Sequence, residues 1–218
     1  MSDMSTWEQL LYYFNHNGSY ILSQFLRHFL ISAYGVVLAA LVGIPLGIII
    51  ARRIRLRTFV MGIANVLQTI PSLAMISILM LGLGLGTKTV IATVFLYSLL
   101  PIISNTYTGI RSVDDDLIDV AKGMGMTKSQ RLIMVELPLS LSVIMAGLRN
   151  ALVVAVGITA IGAFVGGGGL GDIIIRGTNA TNGGAIILAG SLPTALMAIL
   201  SDIILGFIQH LLEPRSAR

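Results

Sequence analysis

The chain has 218 residues, of which 55% are hydrophobic and 11% are charged, and its mean hydropathy is +0.89. Soluble domains carry about 25% charged residues, so this composition excludes an ordinary soluble protein. The absence of cysteine excludes disulfides and thiolate metal sites. The sequence shows no linker rich in proline, glycine or serine and no internal repeat, so we predict a single domain. Its high hydropathy predicts that this domain is all-α and spans a membrane.

Five apolar runs are long enough to cross a bilayer, which takes about 20 helical residues. They cover residues 29–51, 59–85, 89–110, 139–165 and 185–212. The N-terminus lacks the basic-then-apolar layout of a cleavable signal peptide. Residues 7–14 are instead aromatic and amphipathic, which favours the membrane surface. We therefore expect an extracellular amphipathic segment at 1–28, a transmembrane domain at 29–212 and a cytoplasmic tail at 213–218.

Lysines and arginines predict the orientation of the chain. With the N-terminus outside, ten of them lie in cytoplasmic segments and three lie outside. The ten are Arg52, Arg53, Arg55, Arg57, Arg111, Lys122, Lys128, Arg131, Arg215 and Arg218. Cytoplasmic loops carry the positive excess, so we predict that the N-terminus is outside and the C-terminus inside. The basic charge reflects this topology, and we expect no nucleic-acid partner.

Two glycine-rich stretches imitate nucleotide-binding motifs without meeting their requirements. Residues 166–171 satisfy the GxGxxG spacing, but they end an apolar run and lack the flanking strand and helix. Residues 82–89 imitate a phosphate-binding loop, but Thr87 stands where glycine must precede the lysine. The three histidines have no metal-ligand partner at useful spacing. We therefore expect no catalytic residue, metal, nucleotide or other cofactor in this chain, which argues against a membrane enzyme.

Residues 112–138 form a polar interruption between the third and fourth apolar runs. Ser112 and Asp115 have the spacing of a capping box, and the acidic residues around them favour a helix start. Gly123 and Gly125 are predicted to break this helix, because glycine adopts positive φ without strain.

A second helix is predicted to follow the glycines. Thr127 and Gln130 have a second capping-box spacing, which starts a helix through residues 131–136. Pro138 is tolerated in the first turn of the next helix, where its missing N–H costs nothing. The prediction is a helix–turn–helix that projects as a compact knob on the cytoplasmic face. From these features alone, a plain amphipathic loop at the membrane surface is the alternative.

The segment resembles the EAA loop of ABC importer permeases, in which an acidic residue, an alanine and a glycine precede a Leu-Pro pair. The matching positions are Asp119, Ala121, Gly125, Leu137 and Pro138. The chain departs from that pattern by having aspartate for glutamate and Val120 for the first alanine. The resemblance implies a type I permease with a MetI-like fold, whose loop is the coupling helix that seats in a separate ATPase subunit.

Under this interpretation the ATPase, present in two copies, hydrolyses ATP, and this chain receives the resulting push. The tip of the loop is apolar and flexible enough to pack into a pocket. The expected coupling residues are Asp119, Ala121, Gly123, Met124, Gly125, Met126, Leu137 and Pro138.

Three further stretches resemble the osmoprotectant subgroup of these importers, which bring glycine betaine, carnitine and choline into bacteria. They are the Gln-Thr-Ile-Pro-Ser-Leu-Ala run at 68–74, a Leu-Pro pair with Asn-Thr-Tyr-Thr-Gly-Ile at 100–110, and Gly-Gly-Leu-Gly at 168–171. The resemblance covers essentially the whole chain and implies a multi-pass protein of the bacterial cell membrane. It also implies an extracellular binding protein that selects the ligand. A permease for methionine or another amino acid is the alternative.

Polar residues near Pro71, which is expected to kink the second span, suggest a translocation pathway. The candidates are Gln68, Thr69, Pro71, Ser72, Tyr97 and Asn105, with packing between helices as the alternative. Arg149 and Asp202 lie at similar depth in the antiparallel fourth and fifth spans. Charges within a bilayer are usually paired or functional, so an ion pair is predicted. The alternative is that each faces water separately.

Five transmembrane helices are too few to surround a translocation pathway, so we expect a second permease subunit, identical or a sister protein. Membrane lipid is expected to surround both subunits. A self-sufficient secondary transporter or channel is disfavoured, because such proteins usually show internal repeats and the projecting loop would have no role. Aromatic residues make up only 6% of the chain. Since aromatic faces hold quaternary ammonium groups, we expect the subunit alone to bind such ligands weakly.

Overall fold

The computed structural model describes residues 5–212, and every regular element in that range is helical. The helices are α1 (Thr6–Arg52), α2 (Ile54–Thr69), α3 (Ser72–Leu83), α4 (Thr87–Arg111), α5 (Asp115–Gly123), α6 (Lys128–Arg131), α7 (Leu137–Ile161), α8 (Leu170–Thr178) and α9 (Gly184–Leu212), with a π-helical turn at Leu132–Glu136 and a 3-10 turn at Gly162–Val165. The all-α prediction is confirmed. The predicted tail at 213–218 lies outside the described residues.

Within residues 5–212, four helical stretches are long and apolar enough to cross a membrane. They are α1, α4, the continuous stretch Lys128–Val165 and α9. These correspond to the predicted first, third, fourth and fifth spans. The predicted second span is not one kinked helix. It consists of α2 and α3, whose axes bend by 100° at the break between them, so the number of spans is five only if this pair is counted as one.

The break between α2 and α3 follows from proline chemistry. Ile70 has φ −69° and ψ 128°, which is extended rather than helical. A proline disfavours the helical conformation of the residue before it, and it also lacks the N–H that would continue the helix. Pro71 is itself extended, with ψ 137°. Two consecutive extended residues turn the chain much further than the predicted kink.

The N-terminal segment is helical, as predicted, but it is not a separate element. α1 begins at Thr6, and its N-cap Ser5 forms a capping box with Glu8 through its hydroxyl and backbone N–H. Asn17 departs from helical geometry, with φ −120° and ψ 17°, and marks a bend inside α1. The predicted boundary between residues 28 and 29 therefore coincides with no helix end.

The centre of the bundle is formed by α1, α3, α4 and α7, whose buried side chains make one continuous apolar cluster. α1 approaches α4 closely along a line of small residues. A Cβ added at Gly35 would lie 2.3 Å from the Val94 side chain, and one added at Gly47 would lie 2.5 Å from the Thr106 side chain. Small residues of this kind let helix backbones come close in membranes. α1 and α4 therefore behave as one packed unit.

Candidate coupling hairpin and translocation pathway

The first arm of the hairpin is α5, and its cap is one that the sequence did not predict. The Asp114 carboxylate accepts a hydrogen bond from the Asp116 N–H at 2.9 Å. The predicted cap, Ser112, instead donates its hydroxyl to the Gly109 carbonyl at 2.9 Å, because it still continues the last turn of α4. The predicted capping box at Ser112 is therefore wrong, although the helix that it announced is present.

The tip of the hairpin is a Schellman turn centred on Gly125. The Gly125 N–H donates to the Lys122 carbonyl at 2.9 Å, and the Met126 N–H donates to the Ala121 carbonyl at 3.1 Å. Gly125 has φ +76°, the left-handed conformation that this motif requires. Gly123 is the last residue of α5 and does not break the helix, contrary to the prediction. The turn leaves Met124 72% exposed at the apex.

The second arm begins at Thr127, as predicted. Its N–H donates to the Gln130 side-chain oxygen at 2.8 Å, and its hydroxyl accepts from the Gln130 N–H at 3.3 Å, which completes the capping box. The predicted separate helix at 131–136 is wrong, because α6 continues through the π-helical turn directly into α7. The second arm is therefore one end of the fourth span.

Pro138 explains the π-helical turn. It is the second residue of α7, so its ring would clash with the carbonyl four residues earlier in a regular α-helix. The wider turn at Leu132–Glu136 uses bonds between residues five apart and makes room for the ring. The Leu-Pro pair of the sequence motif thus lies where the hairpin meets the membrane span.

The outward face of α5 carries the acidic residue of the motif. Asp119 forms an ion pair with Lys122 at 2.7 Å, and both side chains are more than half exposed. Exposed pairs of this kind contribute little to stability. Ala121 lies on the opposite face of α5 and is buried, so this face packs against the rest of the protein. Asp119 and Met124 are therefore available to a partner protein.

The base of the hairpin contains a residue that the sequence reasoning missed. Glu136 is 4% exposed, and its two carboxylate oxygens each accept a charged hydrogen bond. Arg52, the last residue of α1, donates to one oxygen at 2.6 Å, and Arg131, the last residue of α6, donates to the other at 3.1 Å. The signal in the sequence was the isolation of Glu136, the only acidic residue between Asp119 and Asp172.

Two of the predicted pathway residues brace the break between α2 and α3. The Tyr97 hydroxyl donates to the Ile70 carbonyl, which the break has left without a helical partner. In return, the Gln68 amide donates to the Tyr97 carbonyl at 3.4 Å. That carbonyl lacks its own helical partner because Pro101, four residues on, has no N–H. Each side chain therefore satisfies a backbone group that a proline has freed in the other segment.

The other predicted pathway residues separate into two groups. Asn105 donates to the Pro101 carbonyl at 2.8 Å and faces Gly147, where an added Cβ would lie 2.6 Å from the Asn105 side chain. Asn105 is therefore a packing residue between α4 and α7. Thr69 and Pro71 are exposed at the break, and Ser72 is half-buried beside them. Thr69, Pro71 and Ser72 thus lie together on the open side of the break.

Arg149 and Asp202, predicted to pair, are in contact. Two guanidinium nitrogens donate to the two carboxylate oxygens, each at 2.9 Å. A third nitrogen donates to Gln209 at 3.0 Å, and Gln209 donates to Ser142 at 2.8 Å. Gly206 leaves room for the guanidinium, because a Cβ there would lie 3.2 Å from it. These bonds connect α7 to α9.

The glycine-rich stretch at 166–171 has a structural role at the other end of the bundle. It ends at the start of α8, a short helix that the sequence did not predict. Gly169 has no side chain to cap that helix, and α1 supplies the caps instead. The Gly169 N–H donates to Gln24 at 2.8 Å, and the Leu170 N–H donates to His28 Nδ1 at 3.2 Å. His28 Nε2 therefore carries the proton that it shares with the Val156 carbonyl at 2.9 Å.

Residues 5–212 thus form a bundle of apolar helices with a broken span and a projecting hairpin. Residues 43–218 match the model of the binding-protein-dependent transport system inner membrane component, and the chain belongs to this family. It is therefore a membrane protein and a permease subunit. Members of the family work with an ATPase and a binding protein.

Two individual relatives are similar to this chain over nearly its full length. The carnitine transport permease protein OpuCD of Listeria monocytogenes is 63% identical over 211 residues, which cover 97% of this chain and 95% of that protein. The glycine betaine/carnitine/choline transport system permease protein OpuCD of Bacillus subtilis is also 63% identical, over 97% of this chain and 92% of that protein. The resemblance predicted from short motifs is confirmed over nearly the full length.

A solved structure supports the fold. A chain of the inward-facing MetNI methionine ABC transporter superposes with a TM-score of 0.80, at 19% identity, and the match covers 89% of this chain and 96% of that chain. At this identity the likeness concerns the fold alone. The predicted MetI-like fold is confirmed, and the likeness carries no information about cargo.

Proposed function

We propose that this chain is the permease subunit of an ATP-driven importer for quaternary-amine compatible solutes, namely glycine betaine, carnitine and choline. The observation that carries the proposal is 63% identity, over nearly the whole chain, to permeases named for carnitine and for glycine betaine, carnitine and choline. The methionine alternative rests on a likeness of fold at 19% identity. The substrate class therefore follows the sequence relatives rather than the structural neighbour.

The hairpin is the proposed contact with the ATPase. Its apex combines an exposed methionine with a turn locked by two backbone hydrogen bonds, so it can enter an apolar groove without first ordering itself. The second arm runs unbroken into α7, so a push on the apex is transmitted along a helix. Two ATPase copies would act on two permease subunits, and the second permease is this chain again or a sister protein.

The pathway is proposed to pass the open side of the break between α2 and α3. Irregular backbone at membrane depth is tolerated where it lines a cavity or is buried in protein. Thr69 and Ser72 offer hydroxyl groups there, while Gln68 and Tyr97 hold the break in place. This chain itself binds no nucleotide or other cofactor under this proposal, and the extracellular binding protein selects the ligand.

Uptake into proteoliposomes tests the proposal. The permease would be reconstituted with its cognate ATPase and binding protein, and uptake of radiolabelled glycine betaine, carnitine, choline and methionine would be compared. We expect ATP-dependent uptake of at least one quaternary amine and none of methionine. Methionine uptake alone would refute the substrate class. Calorimetry on the isolated permease is expected to show little binding, and tight binding would contradict the division of roles with the binding protein.

A further inference from the structure

We propose that Glu136 is a positioning residue that joins the coupling hairpin to α1, so that displacement of the hairpin by the ATPase is passed to α1. This inference rests on the proposed function of the hairpin. It adds a direct contact with α1 to the covalent continuity of the two arms with α4 and α7.

The two ion pairs of Glu136 connect three segments at one point. Glu136 belongs to the π-helical turn, Arg131 ends α6 and Arg52 ends α1. The Glu136 side chain is 5% exposed and that of Arg131 is 12% exposed, so water screens their pair weakly. Charged hydrogen bonds in such surroundings are short and strong. Arg52, which makes the link to α1, is 32% exposed, so its pair with Glu136 is screened more. Removing one partner would leave a buried charge uncompensated, so the contact is costly to break.

The Arg52–Glu136 pair joins the end of α1 to the hairpin directly. α1 also packs against the end of α4, which continues into the first arm. A cavity of about 110 Å³ lies between the end of α1 and the hairpin, lined by the last residues of α1 and α4, by Asp115 and Ile118 of the first arm, and by Arg131 and Glu136. Apolar packing is therefore interrupted where the two segments meet. The polar contact across the cavity adds a direct link between the two segments.

The contacts of α1 favour transmission of a shift along the helix from Arg52 towards Gln24. Its small residues seat it against α4, where an added Cβ at Gly43 would lie 2.9 Å from the Ile102 side chain. In the middle of α1, Gln24 and His28 cap the first N–H groups of the α8 segment. The 29 residues from Gln24 to Arg52 make 28 helical steps and span about 42 Å at 1.5 Å per step. A shift at Glu136 is thus conveyed along α1 to the glycine-rich loop at the other end of the bundle.

The first test removes the charge of Glu136 without changing its shape. Complexes with Glu136→Gln would be reconstituted, and basal ATP hydrolysis, stimulated hydrolysis and uptake would be measured together. We expect basal hydrolysis to persist while uptake per ATP falls by about tenfold or more, as expected when a buried ion pair loses a partner. Unchanged uptake per ATP would overturn the inference.

If Glu136→Gln fails to assemble, Arg52→Gln tests whether the contact with α1 is needed for coupling. Arg52→Gln breaks only the link to α1 and leaves Glu136 paired with Arg131, and Arg52→Lys should restore part of the coupling. The matched control is Arg53→Gln, which removes the neighbouring exposed arginine. That variant should change uptake per ATP little, because exposed charges contribute little. Equal losses in Arg52→Gln and Arg53→Gln would refute the specific role of Glu136.

A distance measurement separates transmission from simple stabilisation. The chain has no cysteine, so spin labels can be placed at Arg53→Cys and Ser129→Cys alone. In the otherwise unaltered complex, we expect this distance to stay constant when ATP binds, because α1 and the hairpin move together. In the complex with Glu136→Gln, we expect ATP binding to shift or broaden the distance distribution between the two labels. A distance that responds identically in both complexes would overturn the inference.

These outcomes also distinguish the inference from the proposed function. If Gly125→Asp abolishes transport while Glu136→Gln leaves uptake per ATP unchanged, the hairpin is the coupling site and only the role of Glu136 is wrong. If Gly125→Asp transports normally, the coupling function of the hairpin itself is wrong.

Discussion

Replacing Gly125 with alanine is expected to weaken docking of the ATPase because of backbone strain alone. Gly125 has φ +76°, and a Cβ added there would meet no atom of residues 5–212 within 4 Å. The variant therefore creates no clash inside the chain. A non-glycine residue in this left-handed conformation costs about 1–2 kcal/mol. That cost corresponds to a factor of about 5–30 in an equilibrium constant.

This conformational free-energy cost applies to the hairpin that is docked on the ATPase. An undocked hairpin can relax its tip, whereas a docked one needs the turn that the two backbone bonds hold. The apparent affinity of the ATPase for the permease is therefore expected to fall by up to about 5–30-fold. The assay is titration of the detergent-solubilised permease with its ATPase, followed by uptake in proteoliposomes.

Two further substitutions at Gly125 supply the controls. Asparagine visits the left-handed conformation readily, so Gly125→Asn should lose much less affinity than Gly125→Ala. Gly125→Asp adds a charge to an apolar tip and is expected to abolish transport while membrane insertion stays intact. Wild-type affinity in Gly125→Ala, or equal damage from alanine and asparagine, would refute the argument from backbone conformation.

Three predictions concern the bundle. Reversing the charge of Arg149 or Asp202 alone should impair assembly, and the double reversal should restore it, since isolated charges at membrane depth are unfavourable. Gly47→Ala places a Cβ 2.5 Å from an α4 side chain and should cost about 1–3 kcal/mol in detergent thermal unfolding, whereas Gly62→Ala meets nothing within 4 Å and should be neutral or slightly stabilising. Tyr97→Phe removes the donor to the carbonyl at the break between α2 and α3 and should cost about 1–3 kcal/mol in the same measurement.

Each of these predictions has a clear contrary result. Failure of the double reversal to restore assembly would count against the Arg149–Asp202 pair as a stabilising contact. Equal thermal shifts in Gly47→Ala and Gly62→Ala would contradict the close approach of α1 to α4. An unchanged unfolding temperature in Tyr97→Phe would show that another group, or water, satisfies the freed carbonyl.

Features encoded within one stretch of sequence were predicted well. Apolar runs gave the ends of four spans to within a few residues, except that the first and fourth helical stretches extend further toward the N-terminus. The Thr127 capping box and the glycine turn depend on residues at most five apart, and both are present. The Ser112 cap failed because Asp114 offers a competing carboxylate closer to the N–H groups of α5.

The pairing of Arg149 with Asp202 shows how a long-range contact can still be anticipated. A membrane restricts each residue to a depth, so two charges on antiparallel spans can be matched from sequence position alone. No such constraint exists outside the bilayer core. Arg52 and Glu136 are 84 residues apart, and nothing in their local sequence specifies their contact.

The sequence by itself determined that this chain crosses a membrane, presents a polar hairpin and resembles the importer permeases. Those properties depend on apolar run length, helix caps and a motif, all of which are local. Only the tertiary structure decided that the second span is broken by 100°, that Gln68 and Tyr97 repair the break, and that Glu136 ties the hairpin to α1. A backbone group freed by proline, or a carboxylate that leaves water, needs a partner, and the packing of distant helices determines which side chain supplies it.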